Sequence, residues 1–363
     1  MGHDVARFAA VFLASLAVAE ATLPAAYRHA ASHVALALLS LLVADLGLAL
    51  LGRILPRRLL PDLGGRAVLV TGCDSGFGQQ CARRLDALGV TVYAGCLMPQ
   101  GTGAAALKAS TSSRLHIVPL DVTKDDSVQA AVRLVKGTIG DKVLWAVVNN
   151  AGVLSVGELH WTSTEEISKV FDVNVFGMVR VTKAFLDMLI ESKGRVACIC
   201  SIAGRVTMPP LLAYSMSKHA VVAFADGLRR QMSKWSVSVH CIEPLFYKTN
   251  ITNDEIIRSN LKRIWKDCPS AVRMQYGDEF FDKYTESYLK MLVNFNSSNT
   301  QAVVDAMVDA AVGAQPKVKY TCGIFSPWIL QLVPNTIMDV ILYYLTPVGC
   351  QPTALQSKNG MTK

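Results

Sequence analysis

The chain has 363 residues, of which 51% are hydrophobic, and its mean hydropathy is +0.32. This length is enough to bury one large core, with residues left over at both ends. The net charge of +8 does not indicate nucleic-acid binding, because the basic residues are scattered and no recognised binding motif accompanies them. A basic surface beside an anionic membrane is the simpler interpretation.

Residues 1–60 are predicted to be a membrane anchor. Residues 8–27 and 34–51 are apolar stretches of about 20 and 18 residues, each near the length that spans a bilayer core. Two transmembrane helices are expected; the alternative is one, with the first stretch a cleaved signal peptide. Arginines follow the second stretch, which places the remainder of the chain in the cytosol. The membrane is expected to be that of the endoplasmic reticulum, with a mitochondrial membrane as the alternative.

A strand, a glycine-rich turn and a helix follow the anchor. Residues 66–71 form a short apolar strand, and Gly72, Gly76 and Gly78 follow it with G-x-x-x-G-x-G spacing. The first glycine allows a tight turn, the second lets the backbone approach a pyrophosphate, and the third lets the helix pack on the sheet. The turn therefore predicts a dinucleotide site made of Gly72, Asp74, Ser75, Gly76, Phe77 and Gly78.

The strands that follow indicate which dinucleotide binds. The strand at residues 90–95 ends without the basic residue that a 2′-phosphate needs, and Asp74 would repel that phosphate. The acid that usually binds the ribose of NAD is also missing, so NAD is favoured over NADP by elimination. A buried strand at residues 145–149 ends at Asn149, and Ala151 and Gly152 then leave room for a cofactor to lie against it.

Ser201, Tyr214 and Lys218 have the chemistry of a proton-transfer site. Tyr214 and Lys218 are four residues apart, so on a helix the lysine ammonium can lie beneath the phenol and favour its ionised form. Residues 195–201 are predicted to be a buried strand, and Ser201 at its carboxyl end can hydrogen-bond a substrate oxygen. This combination predicts an oxidoreductase.

The remaining sequence alternates strand and helix patterns, which predicts a parallel sheet covered by helices on both faces. The nine cysteines have no spacing typical of a disulfide scaffold or a zinc site, so we expect no metal.

In this order, the motifs resemble the short-chain dehydrogenase/reductase family over roughly residues 66–320. The motifs are Thr71-Gly72-x-x-x-Gly76-x-Gly78, Asn149-Asn150-Ala151-Gly152, Asn174, Ser201 and Tyr214-x-x-x-Lys218. The chain looks like the branch that holds 17β-hydroxysteroid dehydrogenase type 2, 11β-hydroxysteroid dehydrogenase type 2, retinol dehydrogenases and 3-hydroxybutyrate dehydrogenase. The resemblance implies an α/β fold, a single Rossmann-type doubly wound parallel sheet of about seven strands, and a homodimer.

The resemblance also implies residue roles. Ser201, Tyr214 and Lys218 match the family's catalytic residues, and Tyr214 and Lys218 also contact the cofactor. Asn174 matches a residue that holds a water connecting Lys218 to solvent, which makes it part of the catalytic set. The alternative is a structural amide that caps a bend in its helix.

Three further positions follow from the same resemblance. Asp121 matches a residue that hydrogen-bonds adenine, with an ordinary helix cap as the alternative. Thr249 matches a threonine that contacts the nicotinamide carboxamide. Leu245 departs from the family, which usually has glycine there, so we expect it to crowd the nicotinamide or to force the loop onto another path.

The segments after the core point to the substrate. Within the predicted catalytic domain, residues 61–320, a substrate loop at residues 245–292 is rich in aromatic residues, which either contact a lipophilic substrate or pack the loop's own helices. Residues 321–363 form a C-terminal extension, which either lies in the membrane interface or covers the core or a dimer contact.

Three functions follow from these features. The first is a membrane-associated NAD-dependent dehydrogenase that interconverts a secondary or allylic alcohol and its carbonyl on a steroid or retinoid. The second is a dehydrogenase of a small hydroxy acid such as 3-hydroxybutyrate, for which Lys248, Arg258 or Lys262 would bind the carboxylate. The third is a scaffold without catalytic activity.

Overall fold

The computed structural model describes residues 58–323, 333–345 and 350–360, together with scattered positions between residues 14 and 47. The chain divides into two compact units, Met1–Arg58 with Val333–Ile341, and Leu59–Leu332 with Leu342–Lys363. The predicted transmembrane stretches at residues 8–27 and 34–51 lie largely outside the described residues. None of the helices in the described ranges has both the length and the apolar character needed to cross a bilayer.

Seven strands form one parallel sheet in the second unit, in the order β3-β2-β1-β4-β5-β6-β7. Their bounds are β1 Arg66–Thr71, β2 Thr91–Cys96, β3 Leu115–Pro119, β4 Val143–Asn149, β5 Arg195–Ile199, β6 Ser238–Pro244 and β7 Lys319–Cys322. The central strands are apolar along almost their whole length because helices cover both faces of the sheet. The predicted seven-stranded, doubly wound parallel sheet is confirmed.

The described residues after Arg58 form twelve α-helices. In chain order they are α1 Gly76–Ala87, α2 Thr102–Ala109, α3 Asp125–Thr138, α4 Thr164–Phe171, α5 Met178–Ser192, α6 Leu212–Met232, α7 Asp254–Asp267, α8 Ser270–Tyr276, α9 Asp278–Phe295, α10 Gln301–Val312, α11 Asn335–Leu345 and α12 Thr353–Gly360. Helices α1, α2 and α10 bury their apolar sides on one face, and α3, α5 and α6 on the other.

Helices α7, α8 and α9 form a lid with its own apolar core, which includes residues of the β4–α4 segment. Trp161 lies at its centre, with ring centroids 5.0 Å from Trp265 and 5.1 Å from Tyr284. Of the predicted loop aromatics, Trp265, Phe280, Phe281, Tyr284 and Tyr288 are at most 8% exposed, and the partly buried Tyr276 has its ring centroid 5.1 Å from that of Trp161. They therefore pack the lid's own helices, which was one of the two alternatives for them.

The described part of the C-terminal extension also contacts the lid. Thr353, at the start of α12, donates a hydrogen bond from Oγ1 to the carbonyl oxygen of Tyr276 at 3.1 Å. Cys350 packs against the lid core.

The strand order places the site. The order in which successive strands are added reverses between β1 and β4, because the chain goes from β1 to β2 on one side and from β4 to β5 on the other. Loops that leave two such strands diverge, and the crevice between their carboxyl ends is where open α/β sheets bind ligands. The loops after β1 and β4 are the two that carry the glycine turn and residues 150–152.

Candidate active site

The glycine turn joins β1 to α1 in a conformation that side chains would block. Gly72 and Gly76 have φ of 69° and 62°, in the left-handed region that favours glycine. A Cβ at Gly72 would lie 2.8 Å from the Cα of Ala151, and one at Gly78 would overlap the Asn150 side chain. Helix α1 begins at Gly76, so its free backbone N–H groups face the turn and suit an anion such as a pyrophosphate.

Thr71 and Asn150 join the two loops at this edge. Thr71 Oγ1 accepts hydrogen bonds from the backbone N–H groups of Asn150 and Ala151 at 3.0 and 2.9 Å. The Asn150 side-chain amide donates to the carbonyl oxygens of Thr71 and Gly72 at 2.9 and 3.1 Å. Sequence analysis gave Asn150 no role beyond its place in the Asn149-Asn150-Ala151-Gly152 motif, whereas its amide holds the glycine turn against the β4 loop.

Asp74 belongs to the glycine turn, and its side chain reaches the segment that follows β2. Its two carboxylate oxygens accept hydrogen bonds from the backbone N–H groups of Leu97 and Met98, at 2.9 and 2.8 Å. The turn is thereby tied to the segment that follows β2, and a carboxylate lies where sequence analysis found no basic residue. Asp74 also lines the central cleft.

The residues predicted to be catalytic lie on two neighbouring elements. Ser201 ends the β5 segment and is 7% exposed; its Oγ accepts a hydrogen bond from the Ala203 N–H at 3.1 Å. Tyr214 and Lys218 share one face of α6, with the lysine Nζ 5.6 Å from the centre of the phenol ring. Lys218 is 4% exposed, and its Nζ donates to the carbonyl oxygen of Ile199 at 2.9 Å, which fixes its position.

Asn174 lies beside this group but outside the cleft. It is fully buried in a π-helical turn, Asp172–Gly177, between α4 and α5, and such turns are frequent at functional sites. Its amide oxygen accepts a hydrogen bond from the Val153 N–H at 2.8 Å. Its amide nitrogen donates to the Val153 carbonyl oxygen and to Ser217 Oγ, both at 3.0 Å. A Cβ at Gly152 would lie 3.3 Å from Asn174 Oδ1 and 3.8 Å from Lys218 Nζ, so Gly152 keeps the space between them open.

A cleft of about 290 Å³ runs along the carboxyl edge of the sheet. Of the predicted site residues it is lined by Gly72, Asp74, Ser75, Gly76, Phe77, Asp121, Ala151, Gly152, Ser201, Tyr214, Lys218 and Thr249. Gly78, Asn149 and Asn174 are not in its lining; Gly78 packs beneath the turn, and Asn149 donates from its amide to Thr182 Oγ1 at 2.9 Å. The cleft and the glycine turn at its edge, where Gly72 and Gly76 carry no side chains, fit a nicotinamide dinucleotide.

Asp121 and Thr249, which are predicted to contact the cofactor, each form hydrogen bonds with residues two or three positions further along the chain. Asp121 Oδ1 accepts hydrogen bonds from the N–H and the hydroxyl of Thr123 at 2.9 and 2.7 Å. Thr249 is held by a hydrogen bond from its N–H to Thr252 Oγ1 at 3.1 Å, and its side chain faces Gly76. Adenine binding by Asp121 and carboxamide binding by Thr249 stay predictions.

Leu245 also lines the cleft, and its backbone has an ordinary conformation. The non-glycine residues with positive φ in the described ranges are Asp62, Lys193 and Ser236, so the leucine strains no left-handed position. Its N–H donates to the Cys322 carbonyl oxygen at 3.2 Å, and its side chain packs partly into the core. The expected change of loop path is therefore not required to accommodate Leu245.

Other buried phenols at this end of the molecule stay neutral. Burial raises the pKa of Tyr247, in the cleft wall, to about 12. Burial likewise raises the pKa of Tyr288 and Tyr284 in the lid, and the phenol of Tyr214 adds to the rise at Tyr288. None of these three lies on one helix face with a buried ammonium, as Tyr214 does with Lys218, so Tyr214 is the phenol best suited to move a proton.

Sequence reasoning missed an ion pair behind the serine. Arg205 follows the short helical turn Ile202–Gly204, and its guanidinium donates two hydrogen bonds to Glu243 Oε1, at 3.0 and 2.7 Å. The Glu243 side chain, at the end of β6, is fully buried, and its Oε2 has no hydrogen-bond partner among the residues that the structure describes. The Glu-Pro pair at the end of an apolar strand was the available signal, since a carboxylate at such a position needs a cation.

Comparison with known proteins gives the following matches. Residues 66–258 match the family model for the short chain dehydrogenase. The chain is 37% identical over 294 residues to retinol dehydrogenase 7 of Rattus norvegicus, covering 79% of this chain and 91% of that protein. It is 38% identical over 301 residues to 17-beta-hydroxysteroid dehydrogenase type 6 of Bos taurus, covering 81% and 93%.

Solved structures share the fold. A short chain dehydrogenase/reductase from Burkholderia phymatum in complex with NAD superposes with a TM-score of 0.62 at 23% identity, covering 78% of this chain and 96% of that one. A gluconate 5-dehydrogenase from Burkholderia cenocepacia in complex with NADP and tartrate gives 0.56 at 18% identity, covering 75% and 97%.

Proposed function

Because the chain belongs to the short chain dehydrogenase family, we propose that it interconverts an alcohol and its carbonyl on a steroid or retinoid, using a nicotinamide dinucleotide. The observation that carries this proposal is the placement of Tyr214 over the buried Lys218 in the wall of the cleft that the glycine turn also lines. Relatives that cover about four fifths of the chain are named for retinol and for 17-beta-hydroxysteroids.

The chain's own residues supply proton transfer and orientation. Ser201 Oγ hydrogen-bonds the substrate oxygen. In the oxidative direction, Tyr214 accepts the proton of the substrate hydroxyl. The Lys218 ammonium, held by the Ile199 carbonyl, stabilises the Tyr214 phenolate that accepts this proton. A nicotinamide dinucleotide held at the glycine turn would supply the acceptor for the hydride that leaves the alcohol carbon. The proton then passes toward solvent past Gly152 and Asn174, which border the space beside Lys218.

We propose NAD as the cofactor rather than NADP. Support comes from Asp74, whose carboxylate lies against the backbone of Leu97 and Met98 just after β2. A 2′-phosphate at that position would be repelled by the carboxylate, and the lining after β2 offers no basic side chain.

Membrane attachment and dimer formation are further parts of the proposal, and both rest on the sequence. Residues 8–27 and 34–51 are long enough and apolar enough to anchor the enzyme in the endoplasmic reticulum membrane with its catalytic domain in the cytosol. A lipophilic substrate that partitions into the same bilayer suits such an anchor. A homodimer is proposed from the family resemblance.

A small hydroxy acid fits this cleft less well than a lipophilic alcohol. Lys218 is the one cation among the described residues that line the cleft. Of the candidates for carboxylate binding, Arg258 is already paired with Glu286 across α7 and α9. The carboxylate of a 3-hydroxybutyrate-like substrate would therefore have to compete with Tyr214 for Lys218.

The test is NADH production by the detergent-solubilised full chain on steroid, retinoid and 3-hydroxybutyrate alcohols, with NAD or NADP. We expect turnover of a lipophilic alcohol with NAD, abolished by Tyr214→Phe. Tyr93→Phe is the matched control, because that phenol lies in β2 and hydrogen-bonds Thr138 away from the cleft. Turnover of 3-hydroxybutyrate alone would support the second function, and dinucleotide binding without any turnover would support the scaffold.

A further inference from the structure

Leu245 and Gly323 face each other at the junction of β6 and β7. Leu245 directly follows β6 and Gly323 directly follows β7, and Pro244 pairs with Cys322 in the sheet. The Leu245 N–H donates to the Cys322 carbonyl oxygen at 3.2 Å, so the two chain segments stay in register one residue beyond the strands. The leucine side chain is thus fixed relative to the backbone of Gly323.

The room for that side chain comes from the missing side chain at Gly323. A Cβ built at Gly323 would overlap Leu245 Cδ1 and lie 3.1 and 3.2 Å from its Cγ and Cδ2. These three leucine atoms are the nearest to that position, so the whole branched end of Leu245 lies over Gly323. Packed side chains do not share space, so even one methyl group here would displace the leucine.

Leu245 has open space on its other side. It lines the cleft together with Ser201, Tyr214 and Thr249, at the end where the substrate would react. It also contacts the core that α1 and α10 cover, so it cannot move deeper into the protein without overpacking. If a side chain at residue 323 filled this space, the Leu245 side chain would have to turn into the cleft.

We propose that Gly323 is a positioning residue: it leaves room for the Leu245 side chain, which is thereby held aside, so that the reacting end of the cleft stays open to a nicotinamide ring. This inference rests on one part of the proposed function, namely that the cleft binds a nicotinamide dinucleotide.

The experiment measures NADH binding directly, by energy transfer from tryptophan to bound NADH in the detergent-solubilised full chain. We expect Gly323→Ala to weaken binding about tenfold, as one overpacked contact does. Leu245→Ala should bind within about threefold of the wild type, and Leu245→Ala/Gly323→Ala should recover most of the loss, because the side chain that was displaced is gone.

Gly89→Ala controls for backbone strain. Gly323 has φ of +155°, which alanine adopts with strain, and Gly89 has φ of +87° with no atom within 4 Å of a built Cβ. Gly89→Ala should therefore lower the melting temperature but leave the NADH dissociation constant unchanged. If the double variant binds as weakly as Gly323→Ala, strain and not displacement is the cause and the inference is overturned.

Three other results are decisive. Wild-type affinity in Gly323→Ala overturns the inference while leaving the proposed function intact. If Gly323→Ala has no cooperative melt, Leu245→Phe decides, because a phenyl ring exceeds the room over Gly323; tenfold weaker binding supports the inference, and unchanged binding overturns it. A wild-type chain that binds neither NADH nor NADPH overturns the proposed function itself.

Discussion

Breaking the ion pair between Arg205 and Glu243 is expected to destabilise the protein strongly. Arg205→Met keeps the length of the side chain but removes the guanidinium, which is 12% exposed and bonds a fully buried carboxylate. The nearest remaining cation is Lys319, whose Nζ is 3.9 Å from Glu243 Oε1 on a side chain that is 42% exposed. In the variant, the buried Glu243 carboxylate therefore keeps only Lys319, which is partly exposed to solvent, as a nearby cation.

The size of the effect follows from that burial. Removing one partner of a buried pair costs about 3–5 kcal/mol, and the proximity of Lys319 favours the lower end. About 3 kcal/mol corresponds to a fall of roughly 6–12 °C in melting temperature for a domain of this size. Arg205→Met/Glu243→Gln removes both charges, so we expect most of this loss to disappear and about 1 kcal/mol to remain.

The assay is thermal unfolding of the full chain in detergent, followed by tryptophan fluorescence. Arg258→Met is the matched control, because its pair with Glu286 has side chains 41% and 51% exposed and should contribute no more than about 1 kcal/mol. The reasoning is refuted if Arg205→Met melts within about 2 °C of Arg258→Met. It is also refuted if the double variant is no more stable than Arg205→Met.

Three further perturbations test other parts of the molecule. Burial lowers the pKa of His240 to about 4, whereas it is 6.5 in the unfolded chain, so the unfolded state takes up a proton first on acidification. The free energy of unfolding should therefore fall by about 3 kcal/mol between pH 6.5 and pH 4, and urea unfolding of His240→Asn should show a shallower pH dependence. Gly152→Ala puts a methyl group 3.3 Å from Asn174 Oδ1 and 3.8 Å from Lys218 Nζ, so kcat should fall about tenfold with little change in melting temperature; an unchanged kcat would contradict a proton path there. Asp74→Asn should reduce the preference for NADH over NADPH about tenfold, measured as a ratio of dissociation constants, and an unchanged ratio would mean that Asp74 does not discriminate.

Much of the site was predictable because its residues come from short, local motifs. The glycine turn follows its strand directly, and the i, i+4 spacing of Tyr214 and Lys218 becomes a shared helix face as soon as α6 forms. Strand ends in a parallel sheet meet at one edge, so Ser201 and Gly152 were expected to lie near that helix. Local chemistry and the rule for parallel sheets were enough for this part.

The residues that sequence reasoning missed make contacts between distant segments. Arg205 and Glu243 are far apart in the chain, and their pairing follows from β6 lying beside β5. Asn150 binds the glycine turn only because β4 lies beside β1. Whether the lid aromatics face the substrate or one another was equally open, because an aromatic residue on an amphipathic helix suits either environment.

Leu245 illustrates what the sequence determined and what only the tertiary structure decided. The sequence by itself determined the α/β class, the parallel sheet, the glycine turn and the catalytic spacing, because each depends on residues within one or two adjacent elements. It also identified Leu245 as a departure from its family, but not how that departure is accommodated. Only the tertiary structure decided this, since Gly323 lies 78 residues further along the chain and reaches Leu245 through the pairing of β6 with β7.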